Sequence, residues 1–360
     1  MSGFLRRGAQ PDPEQASELE RIEAGGIPTS AQERLKELGV DGAMFTSGLS
    51  VKEFALLDQV GSRPLAQVMG ASVVRPGWQY LPALPAPPVF YSTSLYSPVT
   101  NAGRWGNRIS EASPAQMRNY LWHTSVVCEL DVLTDAWNLA RRRALDRLTE
   151  EARQVGADAV VGVHVTRTDH DLTRGTIEYV VMGTAIRAGE SRAGQWPVLT
   201  DASVQGYWRL RTAGYEPVGL LATTSVVFAS PARTTRAQRL RTTNRNQELE
   251  ELSRAFHAAR DTIRGRLAGQ VSDAHGTGAV GVEFDHTVRR EKIALASSLG
   301  SASQRGWQRG RLGMPYYVSG RADVERRGWT ITMHAAGTAI RRAGAVRRDR
   351  VKPAIRMRDT

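Results

Sequence analysis

At 360 residues the chain exceeds one average domain, and 41% hydrophobic against 23% charged side chains excludes wholesale disorder. The single cysteine, Cys128, excludes an intramolecular disulfide, and the chain opens without a signal-peptide pattern, so a reducing cytoplasm is the expected location. No apolar run reaches the roughly 18 residues of a membrane span, and half of the net charge of +12 is terminal, with eight cations and two acids in residues 341–360.

In chain order, residues 1–46 form a mildly acidic arm in which Ser30, followed by Glu33, marks the start of a helix. Ser50 followed by Glu53 is a second capping box, and Gly61 before Pro64 is a stop, so the spacing predicts a short helix over 50–60. A strand from Pro64 to Val74 follows. An irregular insertion at about 75–130 contains Pro82, Pro85, Pro87 and Pro88. Trp137, Ala140, Ala144, Leu148, Ala152 and Val155 then recur at steps of three or four, the signature of a long amphipathic helix. Period-two alternation puts Val161, Val163 and Val165 on one strand face, and a last strand runs from Ile177 to Arg187.

The same series then returns. Ser50–Leu57 aligns with Ser203–Leu210 at an offset of 153, which also carries Gly61 onto Gly214, Pro64 onto Pro217 and Ser72-Val73-Val74 onto Ser225-Val226-Val227. Gly183-Thr184-Ala185-Ile186-Arg187 recurs as Gly337-Thr338-Ala339-Ile340-Arg341 at 154, and Val161-Gly162-Val163 as Val280-Gly281-Val282 at 119. The changes of offset mean that each copy carries its own insertion. The second helix bears Leu249, Leu252, Phe256, Ala259, Ile263, Leu267, Val271 and Ala274, and Val280, Val282 and Phe284 match the first alternating face. Gly162 and Gly281 mark a bulge or a close backbone approach. The expected fold is therefore α+β: two tandem copies of a small, mainly antiparallel sheet packed on a long helix, with an N-terminal helical arm. The first copy covers 47–190, the second 197–342 with an insertion at about 290–325, and a basic tail fills 343–360.

The run Leu139-Ala140-Arg141-Arg142-Arg143-Ala144-Leu145-Asp146-Arg147-Leu148 through Ala157-Asp158-Ala159-Val160-Val161-Gly162-Val163, with the strand ending Gly183-Thr184-Ala185, resembles the YbjQ-like family, often labelled a heavy-metal-binding domain. The resemblance covers the core of the first copy closely and the second more loosely. It implies a compact α+β domain, a ring-like homo-oligomer, and no established enzymatic activity.

The residues give that metal label little support. A soft-metal site needs several thiolates, and Cys128 is alone in an apolar stretch. His164, Asp169, His170 and Asp171 form the best local cluster, yet neighbouring strand side chains point to opposite faces, and Glu283 replaces His164 in the second copy. The glycines of Gly276-Thr277-Gly278-Ala279-Val280-Gly281 have dinucleotide-turn spacing but follow a helix and precede a strand, the reverse of what phosphate binding requires. No paired catalytic groups recur in both copies, so no enzyme activity and no cofactor are expected. Arg104, Trp105 and Arg108 in one insertion, Arg305, Trp307, Arg309 and Arg311 in the other, and Arg347, Arg348 and Arg350 in the tail combine stacking surfaces with cations. That chemistry binds nucleic acid or anionic lipid. The leading expectation is a non-enzymatic tandem-repeat protein that forms a symmetric homo-oligomer and acts as a scaffold or binding platform. An anion-binding module through the Arg/Trp loops and tail, and a heavy-metal-binding protein, are the alternatives.

Overall fold

The computed structural model of the chain describes residues 13–24, 26–38, 46–77, 125–170, 176–187, 196–232, 246–294, 306–309, 315–318 and 325–343. Two helices, α1 (Pro13–Glu23) and α2 (Thr29–Leu38), form the arm. Helix α2 starts one residue before the expected cap: the Thr29 N–H donates to Glu18 of α1 at 3.2 Å, so a carboxylate from α1 meets the start of α2 and Ser30 lies inside it. The arm is tied to the first unit by Arg34, 2.7 Å from Glu151, and by Arg147, which donates to the Ile22 carbonyl at 2.9 Å.

The first unit contains α3 (Val51–Gln59), β1 (Arg63–Val74), β2 (Val126–Glu129), α4 (Asp131–Gln154), β3 (Ala159–His170) and β4 (Thr176–Arg187). Both bonds of the expected Ser50/Glu53 capping box are made. The second contains β5 (Val198–Leu199), α5 (Val204–Thr212), β6 (Tyr215–Ser230), α6 (Glu250–Asp273), β7 (Gly278–Ala294) and β10 (Glu325–Arg342), while β8 (Gly306–Arg309) and β9 (Pro315–Val318) pair as a separate hairpin. The sheets are ordered β1-β4-β3-β5 and β2-β6-β10-β7. Each long helix lays its apolar stripe on a sheet: Ala140, Ala144, Leu148 and Ala152 of α4 join Val68, Val160, Val163 and Val181 in one core, and Ala255, Ala259, Ile263 and Leu267 of α6 join Leu221, Ile331 and Ala339 in another.

The duplication extends to individual bonds. Both long helices have 24 residues and follow a leucine in nearly the same conformation, Leu130 (φ −98, ψ 89) and Leu249 (φ −89, ψ 84). The Glu151 carboxylate accepts from the Met69 N–H at 2.9 Å, and Gln270 accepts from Ala222 at 3.1 Å. Arg147 donates to the Ala71 carbonyl and Arg266 to that of Thr224. The N–H groups of Gly48 and Asp201 donate to Thr184 and Thr338. Every one of these pairs is related by the sequence offsets of 119, 153 or 154.

The glycine repeated at the strand bend has a backbone cause. Gly162 (φ 62) and Gly281 (φ 64) are left-handed, and strand pairing shifts register beside each one. Nothing lies within 4 Å of a Cβ built on Gly162, so the bulge rather than a close approach requires glycine. The bulge also breaks the expected alternation: Val161 packs with Leu57, Ile186 and Val204, whereas Val163 faces the core beneath α4. One inserted residue moves the following side chain to the other face.

The two units are packed together by an exchange of strands. Strand β2 comes from the first unit but pairs with β6 of the second, and β5 from the second unit pairs with β3 of the first.

Candidate functional site

The most elaborate polar chemistry among the described residues lies along this seam. On one side β2 runs antiparallel to β6, with Val126 opposite Ser230 and Glu129 opposite Val227. Where β2 ends, α4 completes the edge. The Leu130 N–H donates to the Val226 carbonyl at 2.7 Å, and Thr134 accepts from the Val226 N–H at 3.0 Å. The Asn138 amide then behaves as a strand residue would: it donates to the Thr224 carbonyl at 2.9 Å and accepts from the Thr224 N–H at 3.3 Å. Glu129 accepts from Arg266 at 2.9 and 3.2 Å and from Ser225 at 2.7 Å, so a partly buried charge pair has its lone pairs occupied.

On the other side β5 runs parallel to β3, Val198 beside Ala159 and Leu199 beside Val160. The Thr200 N–H donates to the Val160 carbonyl at 2.9 Å, and the Val163 N–H returns a bond to Thr200 at 3.0 Å. Val204 and Tyr207 of α5 cover Ala159, Val161 and Ile186. Behind them the Thr200 and Thr338 hydroxyls are 2.7 Å apart, and Thr338 donates to the Asp201 carboxylate. Burial pushes the Asp201 carboxyl above its usual range, and the Thr338 hydrogen bond opposes that shift.

His334 lies beside the seam under α4. Its Nδ1 is 2.8 Å from the Thr224 hydroxyl, and its ring meets Trp137 edge-on with centroids 4.8 Å apart. Burial, with the Arg167 charge adding to it, lowers its pKa to about 3. The folded state therefore refuses a proton that the unfolded chain takes up below about pH 6.5. Its stabilising contribution is complete above that pH and is lost as pH falls toward 3. Urea unfolding is expected to show about 1 kcal/mol less stability at pH 5 than at pH 6 from this group, and His334→Asn should flatten that part of the slope. An unchanged slope in the variant would contradict the assignment.

Of the residues singled out from sequence as metal ligands, only Cys128 and His164 are described with their side chains, and they lie on different strands, β2 and β3. Cys128 lies half-buried on β2, where burial and then the Asp131 charge push its thiol up to about 11, disfavouring the thiolate a soft metal needs. His164 is exposed on β3. Asp169 and His170 pair through their backbones with Ile177 and Thr176, and Asp171 lies outside the described residues. Among the described residues no group of three His, Cys, Asp or Glu side chains is placed to hold a metal ion. The described donor set thus does not fit a heavy metal. Arg104, Trp105, Arg108, Arg305, Arg311, Arg347, Arg348 and Arg350 lie outside the described residues, and for Trp307 and Arg309 only the backbone pairing with Tyr317 and Pro315 is described. No helix among the described residues is long and apolar enough to cross a membrane.

Sequence reasoning missed Glu129, Thr134, Asn138, Thr200, Asp201, Arg266 and His334. Only Thr338 carried a signal, because it repeats Thr184 within the matched Gly-Thr-Ala segments.

Comparison with known proteins places the first unit. Residues 117–189 match a family model described as "Putative heavy-metal-binding", YbjQ. Over part of its length the chain is a distant match to the YbjQ/UPF0145 superfamily. A 64-residue stretch, 18% of the chain, is 36% identical to 60% of the UPF0145 protein NT01CX_0170 of Clostridium novyi. A longer match, 268 residues at 27% identity, covers 73% of the chain and 85% of the encapsulin nanocompartment protein Rv1762c of Mycobacterium tuberculosis. No solved structure matches the chain significantly.

Proposed function

We propose that the chain is a non-enzymatic structural protein that self-associates into a symmetric homo-oligomer and serves as a scaffold or binding platform. The observation that supports this most is the seam. Its two units do not meet through matching faces; each lends a strand to a different edge of the other, which makes the contact heterologous. Contacts of that kind propagate into rings or filaments when copies are added. Strand addition also protects sheet edges that would otherwise pair at random. Polar groups at the joint hold the units together: Asn138, Thr134, Glu129 and Arg266 all bond across it. His334, held neutral and covered, is a poor proton donor at neutral pH.

The relative named as an encapsulin nanocompartment protein agrees with a place in a protein assembly. The test is the native mass of the purified full-length chain at micromolar concentration. A defined integral multiple of the chain mass is expected. A single-chain mass throughout the range would remove the proposal.

A further inference from the structure

Among the described strands β7 is the outermost of the second sheet, paired along its length with β10. From Glu283 to Ala294 its register against Ala336 to Glu325 runs without a shift, so the stretch has neither the bulge nor the proline that commonly blunts an edge. Every residue from Glu283 to Arg290 is exposed. Phe284 and Val288 lie opposite Ala335 and Ile331 of the core beneath α6, yet they are 47% and 42% exposed. Val165, the counterpart of Phe284 on β3, packs instead against the first core.

The charges of β7 are sorted by sign. Glu283 and Asp285 precede Val288; Arg289, Arg290 and Lys292 follow it, with Glu291 among them. That order suits a strand to an antiparallel copy of itself. Opposed side chains of an antiparallel pair share a face, so a two-fold axis must pass through a residue and not between two. Axes at Glu283, Asp285, Arg289 and Arg290 oppose a charged residue to itself. Axes at Phe284, Thr287 and Val288 oppose two acids: Glu283 to Asp285, Glu283 to Glu291, and Asp285 to Glu291. The axis at His286 alone avoids every such clash, and it sets Phe284 opposite Val288, Glu283 opposite Arg289 and Asp285 opposite Thr287.

We propose that a second copy of this chain pairs its β7 antiparallel with this one about a two-fold axis at His286. The pairing joins the two second sheets into one continuous sheet, and Phe284 of each copy covers Val288 of the other. A second copy is favoured over an unrelated strand because the pattern of charge and apolar side chains along β7 is its own complement.

This inference rests on the self-association proposed above, and its experiment separates the two. Native mass is measured at micromolar concentration for the full-length wild type, for the double variant Phe284→Lys with Val288→Lys, and for Lys52→Glu, a charge change at an exposed position of α3. A symmetric assembly in which every β7 has a partner holds an even number of chains, and that is expected for the wild type and Lys52→Glu. The double variant opposes like charges at both ends of the pairing and is expected to show half the wild-type mass or less. Because both positions are exposed, its thermal melt should keep a cooperative transition. An odd multiple in the wild type, or an unchanged mass in the double variant, would overturn the β7 contact while leaving self-association standing. A wild type of single-chain mass would overturn both.

The register supplies a second measurement that needs no loss of assembly. In a Cys128→Ser background, oxidation should link His286→Cys into a covalent dimer, since the axis sets that position opposite itself within reach of a disulfide. Asp285→Cys and Thr287→Cys should stay unlinked, because each lies opposite the other position and is too far from its own copy for a disulfide to span. Absence of the link at position 286 in an intact multimer would overturn the pairing, as would equal linking at 285 and 287.

Discussion

Gly70→Ala is expected to destabilise the chain by on the order of 3 kcal/mol, read as the shift in urea unfolding of the full-length protein. Gly70 lies on β1 directly under α4, where an added Cβ would collide with the Ala144 carbonyl and reach the Leu148 amide nitrogen at 2.7 Å. Both obstacles are helix backbone, which cannot swing aside as a side chain does, so the whole helix must rise off a core packed at 0% exposure. The second unit places Thr223 and Ile263 at the matching positions, so the close crossing belongs to the first unit alone. Gly265→Ala is the contrasting measurement. It lies within α6 with nothing inside 4 Å of an added Cβ, so it should stabilise by about 0.5 to 1 kcal/mol through helix propensity. A Gly70 variant as stable as the wild type would mean that α4 does not sit this close to β1.

Asn138→Leu is expected to cost about 2 to 4 kcal/mol and to loosen the joint between the units. The substitution keeps the branching of the side chain, with bulkier methyl groups, but removes the amide that pairs both backbone groups of Thr224. Those groups are buried beside α4, so each would lose its bond without gaining water. The cost falls on the seam, not on either helix-and-sheet core. Unfolding should therefore lose cooperativity, with the near-UV signal of Trp137, 4.8 Å from His334, changing before the helical signal. A single unshifted transition would show that the units hold together without this amide.

These expectations make the seam the joint that holds the two units together. It adds β5 to the first sheet and β2 to the second, so that among the described strands β1 and β7 are the remaining outermost strands. Small sheets gain stability from added strands, and here each unit supplies one to the other. Metal chemistry finds no comparable support among the described residues: burial holds the Cys128 thiol in its neutral form, and His164 stands exposed without a converging set of ligands.

Much of the local architecture was legible in the residues alone. The Ser50/Glu53 box, the apolar steps from Trp137 to Ala152 and the matched strands from Pro64 and Pro217 are local signals, because caps, helix periodicity and strand propensity act over a few residues. The duplication was legible for a related reason: equal local instructions recur at fixed offsets. Tertiary structure decided what those copies do to each other. Val126–Glu129 reads as the end of an insertion and becomes a strand of the opposite sheet, since its partners Val227–Ser230 lie about a hundred residues away and no local pattern encodes that pairing. The same holds for Asn138, an ordinary polar residue on a helix until β6 is brought beside it. Val51 and Val204 occupy equivalent positions in equivalent helices, yet one is bare and the other covered. That difference comes from neighbours in space, which a repeated sequence specifies identically and only the packed arrangement distinguishes.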